Sequence, residues 1–285
     1  MRIYATLLCV VLLLGLASAG YCQWWWMGVM NAGTTARWAG MGGAGIAAAN
    51  DAAAIDFNPA NLANLEMVGA DTSGRMSWGG AATWGGGSFE DLSLKIGARS
   101  NQGDWGAGFS FERPSDSGWH DNIWSLGYGA RLGSGGSSWG VSAIRDDEFC
   151  SCGNVHRNTW VNAGYLHALP QGVAPPIKIG LLITNLLEDE NDPRFFNLGV
   201  AVPVGEKLLL AADAWDVTDE WERFFNFGAE LAVAPDWCVR AGRMDTDWTV
   251  GAGYRKARLS LDVAFIRADD FLYDNQWLVS GNFPF

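Results

Sequence analysis

Apolar and polar residues alternate along most of the chain in short segments. In 259–266, Leu259, Leu261, Val263 and Phe265 fall on one face, and Ser260, Asp262 and Ala264 on the other. In 224–233, Phe225, Phe227, Ala229, Leu231 and Val233 oppose Asn226, Gly228, Glu230 and Ala232. A period of two is the mark of a β-strand with two different faces. Such segments occupy 75–84, 90–98, 104–112, 121–132, 137–145, 158–168, 177–186, 195–202, 207–215, 224–233, 237–243, 248–255, 257–267 and 275–285. Turn residues separate them, as in Pro203-Val204-Gly205 and Ala234-Pro235-Asp236. The pattern predicts fourteen antiparallel strands. That is an even number, as in single-chain bacterial barrels, and lengths of about 9–11 residues suit tilted membrane strands.

Periodicity alone leaves two architectures open. A soluble sandwich turns its apolar face inward; a membrane barrel turns it to lipid and keeps its polar face in the lumen. Three features favour the barrel. The chain ends in a strand with Trp277, Val279, Phe283 and Phe285 on one face, resembling the terminal signal read by outer-membrane assembly machinery. Tryptophans sit near predicted strand ends, Trp84, Trp124, Trp160, Trp215, Trp248 and Trp277 at one rim, Trp139 and Trp237 at the other. Amphipathic indoles belong at a membrane–water boundary. Finally, with Phe285 at the periplasmic end, the seven predicted outer loops hold 20 of the 31 acidic residues, and the inner turns hold only Glu206 and Asp236.

The N-terminus sets the compartment. Arg2, an apolar run over 6–16 and Ala17-Ser18-Ala19 form the three parts of a secretory signal peptide, residues 1–19. No later stretch reaches the roughly 18 apolar residues of a membrane helix. The expected organisation is a signal peptide at 1–19, an N-terminal segment at 20–74 and a barrel at 75–285. Composition agrees: 37 of 285 residues are glycine, 16 are tryptophan and charged residues make up only 18%. The net charge of −12 lacks the basic footprint that nucleic-acid binding requires.

Gly40-Met41-Gly42-Gly43-Ala44-Gly45 matches G-x-G-x-x-G in form. It lacks the strand–turn–helix setting of a nucleotide site, so tight packing inside the barrel is the expected role and no cofactor is implied. Ala36 to Ala44, Ala48 to Ala54 and Phe57-Asn58-Pro59-Ala60-Asn61-Leu62-Ala63 together resemble the N-terminal signature of FadL-type and PorV/PorQ-type outer-membrane proteins, the PorV side more than the FadL side. Segments such as Asn197-Leu198-Gly199-Val200-Ala201 and Val250-Gly251-Ala252-Gly253-Tyr254 are similar to the C-terminal strands of the PorV group. Asn61 stands where the family box usually has glycine.

The resemblance implies a 14-stranded barrel with an N-terminal hatch in the lumen, Asn58 and Pro59 within it. FadL-type members pass long-chain fatty acids or other hydrophobes. PorV-type members act with protein-secretion machinery and accept exported proteins. The implied partners are therefore the outer membrane itself, a hydrophobic small molecule or an exported protein, and assembly machinery acting through Phe285.

Asp213, Glu230, Arg240, Arg255 and Asp262 lie on five successive predicted strands, all on the polar face. They read as a charge ladder that pairs within the lumen, or as a polar conduit or hatch-docking site. Cys22, Cys150, Cys152 and Cys238 remain after signal cleavage and allow three pairings. One C-x-C with one nearby histidine falls short of metal-site spacing. His120, His156 and His167 form no arrangement with a nucleophile, so no enzyme activity is expected. The sequence reads as a non-enzymatic outer-membrane barrel for a hydrophobic ligand or exported protein. A structural scaffold with an acidic rim and a soluble secreted β protein are the alternatives.

Overall fold

The computed structural model describes residues 35–66, 76–86, 90–116, 119–150, 155–169, 177–188, 193–218, 220, 223–257, 259–267 and 275–284. The expected signal peptide, Cys22, Cys152 and Phe285 lie outside these residues.

Fourteen strands form one closed antiparallel barrel in which each pairs with its chain neighbour and the last with the first. They are β1 (Met76–Gly86), β2 (Glu90–Ser100), β3 (Trp105–Asp116), β4 (Trp119–Leu132), β5 (Ser137–Cys150), β6 (Val155–Ala168) and β7 (Lys178–Thr184), followed by β8 (Phe195–Val204), β9 (Leu208–Trp215), β10 (Phe224–Ala234), β11 (Trp237–Met244), β12 (Asp247–Lys256), β13 (Leu259–Arg267) and β14 (Gln276–Pro284). Closure removes the sheet edges that would otherwise seek partners. Every segment expected from the alternation is a strand.

The expected outer loops differ. Residues 113–116, 119–120, 146–150 and 155–157 are strand, because β3 to β6 stay in register beyond the outer aromatic rim. Charged and polar positions hide this continuation in the sequence, where apolar alternation stops at the rim.

The alternation also fixes which way each face points. On β13, Leu259, Leu261 and Val263 are exposed on the outside, while Asp262, Ala264 and Ile266 are buried. Outward aromatic residues gather near both ends. Phe265 and Trp277 lie with ring centroids 4.5 Å apart at one end, and Trp237 and Tyr254 4.8 Å apart at the other. Trp84, Trp124 and Trp248 are outward as expected, as are Trp139 and Trp237. Trp160 and Trp215 are not: they are 6% and 5% exposed and face inward. Their parity explains this, since Trp160 alternates with Asn158 and Asn162, and Trp215 with Asp213.

Residues 35–66 lie inside the barrel. They form helix α1 (Ala36–Ala39), helix α2 (Ala54–Phe57) and a 3-10 helix (Pro59–Asn64) joined by turns. No element is long enough to stand alone, since helix nucleation is costly and these helices are one turn or two. The wall supplies the packing instead. Trp38, Met41, Ile55, Phe57, Leu62 and Leu65 form one apolar cluster with Leu166, Ala201 and Ala211 of the strands.

Candidate functional site

Wall glycines allow the inner segment to lie directly against the strands. A Cβ added at Gly106 would sit 1.9 Å from the Leu62 carbonyl oxygen, and one at Gly228 2.2 Å from that of Met41. At Gly164 it would meet Asn58 Oδ1 at 2.0 Å. The contacts run from β3 round to β12, so backbone packs on backbone around much of the circumference. The G-x-G-x-x-G segment lies on this surface, where Gly42 takes a φ of +63° and its own added Cβ would strike the Phe227 carbonyl oxygen. Glycine is required there for both reasons.

Asn58 and Pro59 are fully enclosed. The Asn58 Oδ1 accepts from the Ala60 amide at 3.0 Å and caps the 3-10 helix, with Pro59 in its first turn. Its Nδ2 donates to the carbonyls of Ile46, Tyr165 and Leu181 at 3.1, 3.3 and 3.4 Å. One side chain thereby joins two parts of the inner segment to β6 and β7.

Four of the five lumen charges converge. Glu230 accepts from Arg240 Nε at 2.7 Å and faces Arg255 Nη2 at 3.3 Å. Arg240 Nη1 lies 2.8 Å from Asp262 Oδ1, an ion contact without hydrogen-bond alignment. Asp262 also accepts from Asn282 Nδ2 at 3.3 Å. The strand register sets this up, placing Glu230 opposite Arg240 and Gly253 opposite Asp262. Asp213 lies apart, opposite Asn226. Its Oδ2 accepts from the amides of Gly45 and Ile46 at 2.7 and 2.9 Å, holding a turn of the inner segment to β9.

Other residues of the site carry no distinctive motif. Arg37, at the start of the inner segment, donates through Nε and Nη2 to Glu230 at 3.1 Å each, and through Nη1 to Asn50 at 2.7 Å. Burial would lower its pKa, but the carboxylates of Glu230 and Asp51 outweigh that and raise it, so the guanidinium stays charged. Past β14 and β1 in the wall, the enclosed Lys95 reaches Asp56 of α2 at 2.6 Å and also bonds Glu112 of β3. Burial lifts the Asp56 carboxyl above its usual range despite Lys95. The alternation did contain a signal for Lys95: it shares the inward parity of Ser93, between the outward Leu94 and Ile96. Arg37 lies in a stretch without strand periodicity, and its partner is 193 residues away.

A cleft of about 100 Å³ opens where the inner segment meets β12 to β14, with Arg37, Asp51, Glu66, Arg255 and Asp262 among its lining. Cys238 is a buried free thiol bonded by Arg240 Nη2 at 3.0 Å.

This architecture has counterparts among solved structures. The monoaromatic hydrocarbon channel CymD aligns over 88% of this chain and 97% of its own, with a TM-score of 0.59 and 10% identity. The Pseudomonas putida toluene transporter TodX aligns over 89% of this chain and 97% of its own, with a TM-score of 0.55 and 11% identity. At these identities the likeness is one of fold. No protein-family model and no curated protein matches the sequence. The fold is thus a closed 14-strand antiparallel barrel, similar to that of these channels.

Proposed function

We propose that this protein is a non-enzymatic outer-membrane barrel that binds or passes a hydrophobic small molecule, with residues 35–66 as the hatch in its lumen. The observation that carries this reading is the joint placement of an apolar, tryptophan-rimmed outer face and of residues 35–66 packed against the inward side of the strands. That pairing favours lipid outside, since an exposed apolar belt of this extent is foreign to a soluble protein. The structural neighbours are described as channels for monoaromatic hydrocarbon and toluene, which favours small hydrophobes over fatty acids. Delivery by a signal peptide and assembly through Phe285 belong to the same proposal.

A second reading has its own support. The inner segment is pinned by charges and packed against backbone, so the barrel also suits a closed scaffold. Native mass spectrometry of the protein purified in mild detergent separates the readings. A stoichiometric hydrophobe supports the conduit, and a bare barrel supports the scaffold. A stoichiometric protein would instead favour a secretion role of the PorV kind. Solubility without detergent, and no heat-dependent shift in gel mobility, would sink the membrane reading altogether.

A further inference from the structure

Beyond the outer aromatic rim, β4 and β5 carry three inward-facing carboxylates. Asp121 pairs in register with Glu148, and Asp146 with Ile123. Asp121 and Asp146 share inward parity with Gly129 and Gly140, whose added Cβ atoms would meet the inner segment. They are 4% and 6% exposed, and one carboxylate oxygen of each, Oδ1, has no hydrogen-bond partner among the described residues. The charges that act on them are also acidic: Asp146 and Glu148 on Asp121, Glu148 and Asp147 on Asp146. Arg145 and Arg157 are turned away, meeting Asp147 on the other face at 3.0 and 3.5 Å, while the exposed His156 of β6 pairs in register with Glu148. Every other carboxylate of the lumen discussed above has a cation or a backbone amide. These two have neither, and an enclosed carboxylate without a partner is costly.

The surroundings define what would complete them. Asp121 and Asp146 are diagonal neighbours across the strand pair, about 7–8 Å apart at the backbone. No trio of His, Cys, Asp or Glu among the described residues is gathered tightly enough for a metal ion. A group with several donors can serve both carboxylates at once. Below the acids, toward the middle of the barrel, lie Ile123, Ile144 and the inward ring of Trp160, the last two paired in register. Carboxylates above an aliphatic and indole floor match an ammonium head on an apolar body, since an indole face also attracts a cation.

We propose that this patch is a binding site for amphipathic organic amines at the outer mouth of the barrel. The site stands independently of the conduit reading, because binding there requires no passage through the lumen. The test uses the full chain in mild detergent, with folding checked by heat-dependent gel mobility. Phenethylammonium chloride and its neutral counterpart 2-phenylethanol are titrated by calorimetry at equal ionic strength.

The expected result is saturable binding of the amine, at least tenfold tighter than the alcohol, with calcium chloride unable to displace it. Asp121→Asn/Asp146→Asn weakens the amine at least tenfold and, without ligand, unfolds at a higher temperature than the parent. Should that double variant fail to fold, Glu148→Gln, at a less buried position, must weaken the amine at least threefold. Equal affinity for the alcohol, undiminished binding by the variants, or displacement by calcium would overturn the proposal.

Discussion

Arg37 and Glu230, far apart in the chain, meet through two parallel hydrogen bonds of 3.1 Å from Nε and Nη2 to the two carboxylate oxygens. This fork geometry is the strong form of an arginine–carboxylate pair. It joins the inner segment to β10, while Arg240 and Arg255 close on the same carboxylate from the wall. Breaking a buried pair by removing one partner leaves the other charge uncompensated, at about 3–5 kcal/mol. Glu230→Gln is therefore expected to lower the thermal midpoint in detergent more than Arg37→Met does, because three guanidiniums each lose one charged partner rather than one carboxylate losing one of three. Equal effects would argue against Glu230 as the hub.

Lys95 ties the inner segment to β2 and β3 through Asp56 and Glu112. Lys95→Met is expected to destabilise the barrel, and the deficit should be larger at pH 8 than at pH 4. The sign follows from Asp56: burial raises its folded pKa, so the folded state favours the protonated carboxyl and loses stability as pH rises above the unfolded value of about 3.9. Acid neutralises the charge that Lys95 no longer balances. Thermal unfolding at both pH values checks this, and a deficit independent of pH would contradict it.

Asp213 serves backbone amides and no cation. Asp213→Ala leaves the Gly45 and Ile46 amides without their acceptor inside the barrel, at about 1–3 kcal/mol for each unsatisfied group. Asp213→Asn keeps one acceptor oxygen and is expected to recover much of the loss. Hydrogen exchange at Gly45 and Ile46 is the readout: faster exchange in the alanine variant, and near-parent protection with asparagine.

The close glycines predict a sharp contrast. Gly164→Ala drives a methyl into Asn58 Oδ1, and Gly106→Ala drives one into the Leu62 carbonyl. Both are expected to cost more than about 2 kcal/mol, as overpacking in an enclosed site does. Gly135→Ala meets nothing within 4 Å and is expected to stay within about 0.5 kcal/mol of the parent. Chemical denaturation of the folded barrel in detergent would separate the two classes.

Val250 points outward in the middle of β12 and is 53% exposed. If that face meets lipid, Val250→Arg costs about 2–4 kcal/mol on folding into vesicles. The same change leaves a water-soluble barrel nearly unaffected, so folding yield into vesicles tests the membrane reading directly.

The strands were legible because one face of each is apolar and the other polar, which makes their number, order and direction readable without tertiary information. Their outer ends were not, since Asp146, Asp147 and Glu148 continue the ladder with residues that look like loop. Trp160 and Trp215 show the same lesson from the other side: nearness to a strand end suggested the rim, while their parity placed them inward. Within the site, Glu230, Arg240, Arg255 and Asp262 were visible as charges on a polar face. Arg37 and Asp56 were not, because residues 35–66 have no periodicity of their own and take their shape from the wall.

The enclosure of residues 35–66 also reaches the seam of the barrel. The Ala36 amide donates to Ser280 Oγ at 2.6 Å, and that hydroxyl lies 3.0 Å from Thr83 Oγ1 across the seam where β14 meets β1. The start of α1 is thus tied to the joint that shuts the cylinder. One hydroxyl serves the inner segment and both closing strands at once, so docking of the segment and closure of the cylinder are coupled through Ser280.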